Sequence, residues 1–319
     1  MNKTIRKTLK ITLPIILGVF LIWYSLSKLS FDDLVTYFKN ADYAWIFLAV
    51  FLGLLSHLSR AYRWLYQLEP LGYKVKLGNS IMAVFATYLI NYTIPRAGEV
   101  ARASILTNYE GVPFEKGFGT IVAERIADLI VMIGIISVTL FLQFDFIYQF
   151  LAERFNPTLI FVGLAVLLIT FLIFTQYIQK SKSAFAVRIK TFVNGLIEGA
   201  LSIFKMKKKW AFIFHTLFIW GMYLLMFYTT TLSIEELDGI PIGAVLIGFI
   251  SASFSIAATN GGIGSYPLAV TGAFLLFNLP ESPSEAFGWI MWSAQTLMIV
   301  VFGGLAFLVL PIYNKKKNV

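Results

Sequence analysis

Nine apolar runs joined by short polar linkers constrain this chain more than any other feature. They fall at roughly 11–27, 43–59, 78–94, 118–144, 158–178, 210–232, 242–258, 265–278 and 286–311. A helical run of about 20 apolar residues matches the hydrocarbon thickness of a bilayer. Water could not solvate such a chain: 58% of its residues are hydrophobic and 13% charged, against about 25% charged in a soluble domain. The expected fold class is an all-α polytopic membrane protein. A cytoplasmic enzyme, a secreted module and a disordered chain are excluded. No linker leaves room for a sizeable soluble domain, so residues 1–319 are read as a single transmembrane domain.

Several chemistries are excluded as well. Cysteine is absent, which removes disulfides, thiolate nucleophiles and cysteine metal sites. The two histidines, His57 and His215, are too few for a histidine-rich metal site and are read as packed polar residues. No Gly-Lys-Ser/Thr phosphate loop, His-Glu-x-x-His zinc motif or Gly-x-Ser-x-Gly elbow occurs, so no cofactor or metal is expected.

The net charge of +9 would suggest nucleic acid in a soluble protein. In a membrane protein it reports topology instead, because Lys and Arg stay on the cytoplasmic side. Lys3, Arg6, Lys7 and Lys10 precede the first run without a small-residue cleavage site after it, which reads as an uncleaved anchor with the N-terminus inside. If 78–94 were a full span, the basic loop carrying Lys180, Lys182, Arg188, Lys190, Lys205, Lys207, Lys208 and Lys209 would lie outside. If 78–94 enters and 97–108 returns, that loop lies inside. Only Lys28, Lys39 and Arg154 are then left outside. The return segment is too short and too charged to face lipid, so a re-entrant hairpin is expected, its irregular tip buried in protein or lining a wet cavity. The runs 242–258 and 265–278, broken by Thr259 to Pro267, are read as a second hairpin opening from the outside.

The expected order is span, span, inside hairpin, span, then span, span, outside hairpin, span. About six full spans and two oppositely oriented re-entrant hairpins form an inverted repeat, with halves 1–150 and 151–319 and both termini cytoplasmic. Broken helices in inverted repeats meet near the bilayer midplane in transporters. Within 183–205, Phe185, Ile189, Phe192, Leu196, Ala200 and Phe204 recur at helical spacing beside basic residues. That pattern predicts a cytoplasmic amphipathic helix on an anionic leaflet.

Three motifs carry candidate chemistry. In Asn91-Tyr92-Thr93-Ile94-Pro95-Arg96-Ala97-Gly98-Glu99-Val100-Ala101-Arg102, Pro95 suits the first turn of a new helix whose free N–H groups attract phosphate or carboxylate. Arg96 and Arg102 can grip phosphate, and Glu99 stands three residues from each. The second motif is Glu124-Arg125 with Asp128. Each such charge costs about 2.5–3.5 kcal/mol at a membrane helix centre, so these groups must face protein. Arg125 can pair locally with Asp128 or reach Glu99. Glu99, Glu124 and Asp128 are the candidate charge-coupling groups. The third is Asn260-Gly261-Gly262-Ile263-Gly264-Ser265, where the glycines let backbone approach a ligand or another helix. Arg60 and Arg63 end the second run and read as interfacial anchors able to contact a headgroup.

With these motifs the sequence resembles the lysylphosphatidylglycerol synthase transmembrane-region family of flippase-like membrane proteins. The matching stretches are Ser59-Arg60-Ala61-Tyr62-Arg63-Trp64, Asn91 to Arg102, Gly119 to Asp128, and Asn260-Gly261-Gly262-Ile263-Gly264. The resemblance implies a multi-pass inner-membrane protein that moves a lipid between leaflets. Its substrate would be a membrane phospholipid or a polyprenyl phosphate, with a lipid-modifying enzyme as a further partner and no nucleic acid. Bifunctional members carry a C-terminal cytosolic synthase domain. It is expected to be absent here, since the sequence ends at Val319. Many members have an acidic residue after the glycine break, where this chain has Ser265-Tyr266-Pro267. The expected substrate-binding residues are Asn91, Pro95, Arg96, Arg102, Arg125, Asn260, Gly261, Gly262 and Gly264. A membrane transferase acting on a lipid-linked sugar or phosphate, and a scaffold for a lipid-modifying complex, are the rival readings.

Overall fold

A computed structural model describes residues 20–25, 30–94, 97–154, 156–191, 193–194 and 206–315. Pro95, Arg96, most of the first apolar run and residues 195–205 of the expected amphipathic helix lie outside the described residues. The described elements are helical: α1 (Phe31–Asn40), α2 (Tyr43–Leu68), α3 (Leu77–Thr93), α4 (Ala97–Glu110), α5 (Phe114–Leu142), α6 (Phe144–Arg154), α7 (Pro157–Lys180), α8 (Lys209–Thr231), α9 (Ile242–Ala258), α10 (Ser265–Leu275) and α11 (Glu281–Tyr313). Single 3-10 turns follow α2 and α8. Among the described residues, four helical stretches are long and apolar enough to cross a membrane: Tyr43–Leu71, Phe114–Leu142, Lys209–Thr231 and Glu281–Tyr313.

The helices form two compact units. One holds the chain up to Ile121 and from Trp210 onward, and the other holds Val122–Lys209. In the second unit, α7 leads to a helical stretch at 184–191, which is the described part of the expected amphipathic helix. Lys190 Nζ donates to the carbonyls of Gln179 and Ser181 at 2.8 and 3.1 Å, capping the end of α7.

The first unit is organised along α11, whose 33 residues extend about 50 Å at 1.5 Å per residue. Its contacts run in order. Gly288 packs on Pro267 at the start of α10. Trp292 Nε1 donates to the Gly261 carbonyl at 2.8 Å, in the turn between α9 and α10. Thr296 Oγ1 donates to the Tyr92 hydroxyl at 3.2 Å, near the end of α3. Gly303 packs on Leu89, and Asn79 and Asn314 exchange amide hydrogen bonds at 2.8 and 2.7 Å. The two helix pairs, α3 with α4 and α9 with α10, therefore lie along opposite halves of α11, and their turns meet beside its middle. The open end of the first pair is tied together, since the Lys76 backbone N–H donates to Glu110 at 3.1 Å.

Two apolar clusters hold this arrangement. Trp64, Leu68, Phe85, Ala103, Leu106, Ile121, Met298 and Leu310 belong to one that joins α2 to α5 with α11. Phe227, Phe249, Phe274 and Phe287 form the other, with ring centroids 5.0 to 6.2 Å apart among its pairs. Such edge-on aromatic pairs add to the dispersion that drives helix association in lipid. Two further helices, α1 and α6, lie between the apolar runs, and α1 is amphipathic, burying Leu34. The signal for α1 is a serine N-cap: Ser30 Oγ accepts the Asp33 N–H at 3.0 Å and donates to the Asp33 carboxylate at 2.6 Å.

Candidate functional site

The first helix pair is closed by one asparagine. Asn91 Oδ1 accepts the Gly98 N–H at 2.8 Å, and Asn91 Nδ2 reaches Glu99 Oε2 at 3.5 Å. A Cβ on Gly98 would run into the Thr87 carbonyl oxygen, so only glycine lets α4 pass α3 this closely. Asn91, Gly98 and Glu99 are thus gathered at the turn that the sequence marks, and Glu99 is half-buried there.

At the facing turn Gly261, Gly262 and Gly264 adopt φ of +63°, +79° and +68°, a left-handed region that disfavours any Cβ. A Cβ on Gly261 would stand 2.7 Å from the Tyr92 ring, so the two turns touch through Tyr92 and Gly261. Gly264 is equally confined: the backbone of Leu21 and Ile22 crosses it. Ser255 and Thr259 hold Ser265 at 2.7 and 2.9 Å, fixing the start of α10. Asn260 is half-buried.

The arginines are placed differently from the expectation. Arg60, Arg63 and Arg102 are 2%, 0% and 1% exposed. Arg60 and Arg63 do not end their helix: α2 runs on to Leu68, and both side chains are buried against protein. Ser56, Ser59, Arg60, Arg63 and Gln67 form a buried polar stripe at helical spacing on an otherwise apolar helix. Arg63 Nη1 donates to Thr216 Oγ1 at 2.9 Å and the guanidinium lies 5.4 Å from the Phe212 ring centre. Ser59 Oγ meets His215 Nδ1 at 2.7 Å. Arg102 lies 3.9 Å over the Trp64 ring, and Trp64 Nε1 donates to Thr120 Oγ1 at 2.8 Å. The spacing of these residues in the sequence carries the stripe, but the apolar run hides it by stopping at 59.

In the second unit, Arg125 pairs with Glu124 at 3.2 Å and with Asp128 at 3.8 Å. The local pairing with Asp128 is formed, together with one to the adjacent Glu124. Both acids are buried, while the Arg125 side chain is 41% exposed.

Two features escape the sequence. Glu285 is buried at the start of α11 and accepts from Ser25 Oγ at 2.6 Å, and Trp289 Nε1 donates to the same serine at 3.2 Å. Both nitrogens of the buried His57 lack a hydrogen-bond partner, as does Trp220 Nε1. A buried donor or acceptor left unmade costs about 1–3 kcal/mol, so a retained one needs a reason. No cluster of three or more metal-ligating side chains occurs among the described residues.

Comparison with known proteins decides the lineage. The family model "Lysylphosphatidylglycerol synthase TM region" matches residues 11–304. This chain belongs to that family. A UPF0104 membrane protein of Methanocaldococcus jannaschii is 24% identical over 98% of both chains. The glycosyltransferase AglD of Haloferax volcanii is 27% identical over 142 residues, which span 43% of this chain and 23% of that protein. Within the lysylphosphatidylglycerol synthase TM-region family resemblance, the quoted stretches fall on distinct parts of the structure. They are the buried stripe of α2, the α3–α4 turn, the charged turn of α5 and the α9–α10 turn.

Proposed function

We propose that this protein is a lipid translocase that moves an anionic, phosphate-bearing lipid or polyprenyl phosphate between leaflets. The observation that carries the reading is the meeting of two short helix pairs beside the middle of one long helix. The α3 and α4 helices, of 17 and 14 residues, extend about 26 and 21 Å. Neither matches a hydrocarbon core of about 30 Å, so both pairs are read as re-entrant, one opening to each side. That arrangement suits alternating access to a site at the tips. In this reading the cell membrane holds six spans, with both termini cytoplasmic.

The headgroup would meet Asn91, Pro95 and Arg96 on one tip and Asn260, Gly261, Gly262 and Gly264 on the other. Arg102, stacked on Trp64, would supply fixed positive potential behind them, and Arg60 and Arg63 extend it along α2. Glu99, Glu124 and Asp128 would balance charge and couple movement to protons, with Arg125 held between its two acids. The test is lipid movement in proteoliposomes with fluorescent anionic, zwitterionic and polyprenyl-phosphate lipids. Headgroup-selective movement, lost in Arg96→Ala and Glu99→Gln, is the expected result. Folded protein that moves none of them under an imposed proton gradient would overturn the reading.

A second reading draws on the relative named a glycosyltransferase: a membrane transferase acting on a lipid-linked sugar or phosphate, with Glu99 or Glu124 as acid or base. It expects a chemically altered lipid after incubation, which the translocase reading does not.

A further inference from the structure

About midway along α2, a group of polar side chains is enclosed that neither helix turn accounts for. His57 is 2% exposed. Phe85 and Tyr88 of α3 and Tyr223 of α8 close around its ring, with centroids 5.3, 4.5 and 6.0 Å away. Both imidazole nitrogens are buried without a hydrogen-bond partner. Such a ring would pack as well, and at lower cost, as phenylalanine. The neighbouring polar groups are the Tyr88 and Tyr223 hydroxyls, the second also bonded to Ser56, and the Trp220 indole. The Tyr88 and Tyr223 hydroxyls are 3.5 Å apart, the far limit of a hydrogen bond. Trp220 lies edge-on to Tyr223 at 6.2 Å, and its buried Nε1–H has no partner. Arg60, one turn along α2, is within electrostatic reach of both His57 and Tyr223.

The set is rich in donors. An imidazole and two phenols from three helices are in mutual contact, with an indole against the second phenol and a guanidinium one turn along α2. The acceptors there are the second imidazole nitrogen and the phenol oxygens. Packing gives no reason for this composition, but an oxyanion does: charge-assisted hydrogen bonds to phosphate oxygens are stronger than neutral ones. The location fits as well. Tyr88 precedes Tyr92 by one turn of α3, and Tyr92 touches Gly261 at the meeting of the two turns.

We propose that His57, Tyr88, Trp220 and Tyr223, with the charge of Arg60, form a phosphate-binding subsite one helical turn from the paired tips. With the translocase reading as its basis, the subsite receives the headgroup phosphate of the lipid. The imidazole donates through one nitrogen to a phosphate oxygen and accepts through the other from a headgroup hydroxyl or a bridging water. The phenols and the indole donate to the remaining oxygens.

The experiment measures binding of dodecyl phosphate and of inorganic phosphate to the full chain in a maltoside detergent by calorimetry. Wild type is compared with His57→Phe, His57→Gln and Tyr223→Phe. Size-exclusion profiles and thermal midpoints establish that each variant is folded. The expected result is dodecyl phosphate affinity about tenfold weaker in His57→Phe and Tyr223→Phe, the loss of one buried hydrogen bond to a charged group. His57→Gln, which keeps a donor and an acceptor, restores most of it. Inorganic phosphate binding with the same variant pattern, without dodecyl phosphate binding, supports the oxyanion site and overturns the lipid as its source. Dodecyl phosphate affinity within twofold of wild type in folded His57→Phe overturns the proposal, as does the absence of binding to wild type. The same variants in proteoliposomes separate the two claims. Unimpaired lipid movement in His57→Phe removes the subsite and leaves the translocase standing. Phosphate binding lost in His57→Phe, in a chain that moves no lipid, leaves the subsite standing alone.

Discussion

Glycine positions show most sharply how single residues set this fold. Gly98 and Gly119 both sit in helices, yet a Cβ meets the Thr87 carbonyl at the first and nothing within 4 Å at the second. Gly98→Ala must push α4 off α3 and is expected to cost about 1–3 kcal/mol, the usual range for overpacking. Gly119→Ala should leave stability unchanged or slightly raised, since alanine is the better helix former. Thermal midpoints of the two variants in detergent check the contrast, and equal shifts would contradict the close approach. Arg102 is a second case. Its guanidinium sits 3.9 Å over the Trp64 ring, a planar contact group that a lysine ammonium does not offer, so Arg102→Lys should lower the midpoint by the equivalent of about 1–2 kcal/mol. The sequence makes Arg102 stand out as a charge at membrane depth. It gives no sign of Trp64, because a stacking partner 38 residues away leaves no periodic trace.

At the level of elements, the contact between the α3 and α9–α10 turns carries the argument for function, so it needs a test of its own. Gly261→Ala meets two penalties: the Tyr92 ring and a φ of +63°. The left-handed backbone alone costs about 1–2 kcal/mol for a residue with a Cβ. Tyr92→Ala removes the ring but not the backbone strain. In a double-mutant cycle the Gly261→Ala cost should therefore shrink, though not vanish, in the Tyr92→Ala background. Strict additivity of the midpoints would mean that the turns do not touch. Elements are largely legible: apolar runs and the glycine break mark α3 to α5 and α8 to α11 to within about five residues, while the run for α2 stops nine residues short of Leu68. The reason is physical, since a membrane helix must be apolar throughout its lipid contact. The same rule explains what was missed. α1 is amphipathic and owes its helicity to the Ser30 cap and the face that buries Leu34, so no apolar run announces it. The inward placement of Arg60 and Arg63 was missed because a polar stripe facing protein looks, in one dimension, like the end of a span.

For the whole molecule the decisive quantity is which ends share a side of the membrane. The Lys76 N–H and the Glu110 carboxylate, at the open ends of α3 and α4, are 3.1 Å apart. A hydrocarbon core of about 30 Å does not fit between groups in hydrogen-bond contact, which supports the proposed reading in which the first pair enters and leaves on one face. The second pair lies along the other half of α11, and α11 is long enough to cross. In the proposed inverted arrangement its open end belongs to the opposite face. The absence of cysteine permits a direct check with single-cysteine variants at exposed positions and a membrane-impermeant maleimide. Lys74→Cys and Glu115→Cys flank the first pair, while Asp238→Cys and Ser282→Cys flank the second. The basic linkers favour the first two being cytoplasmic. They should label only in inverted vesicles, and the second two only in intact cells stripped of their outer barriers. Labelling of Lys74→Cys and Glu115→Cys from opposite sides would make α3 and α4 separate crossings and remove the inverted arrangement. Labelling of all four from one side would mean that α11 does not cross, and with it would go the opposed tips on which translocation depends.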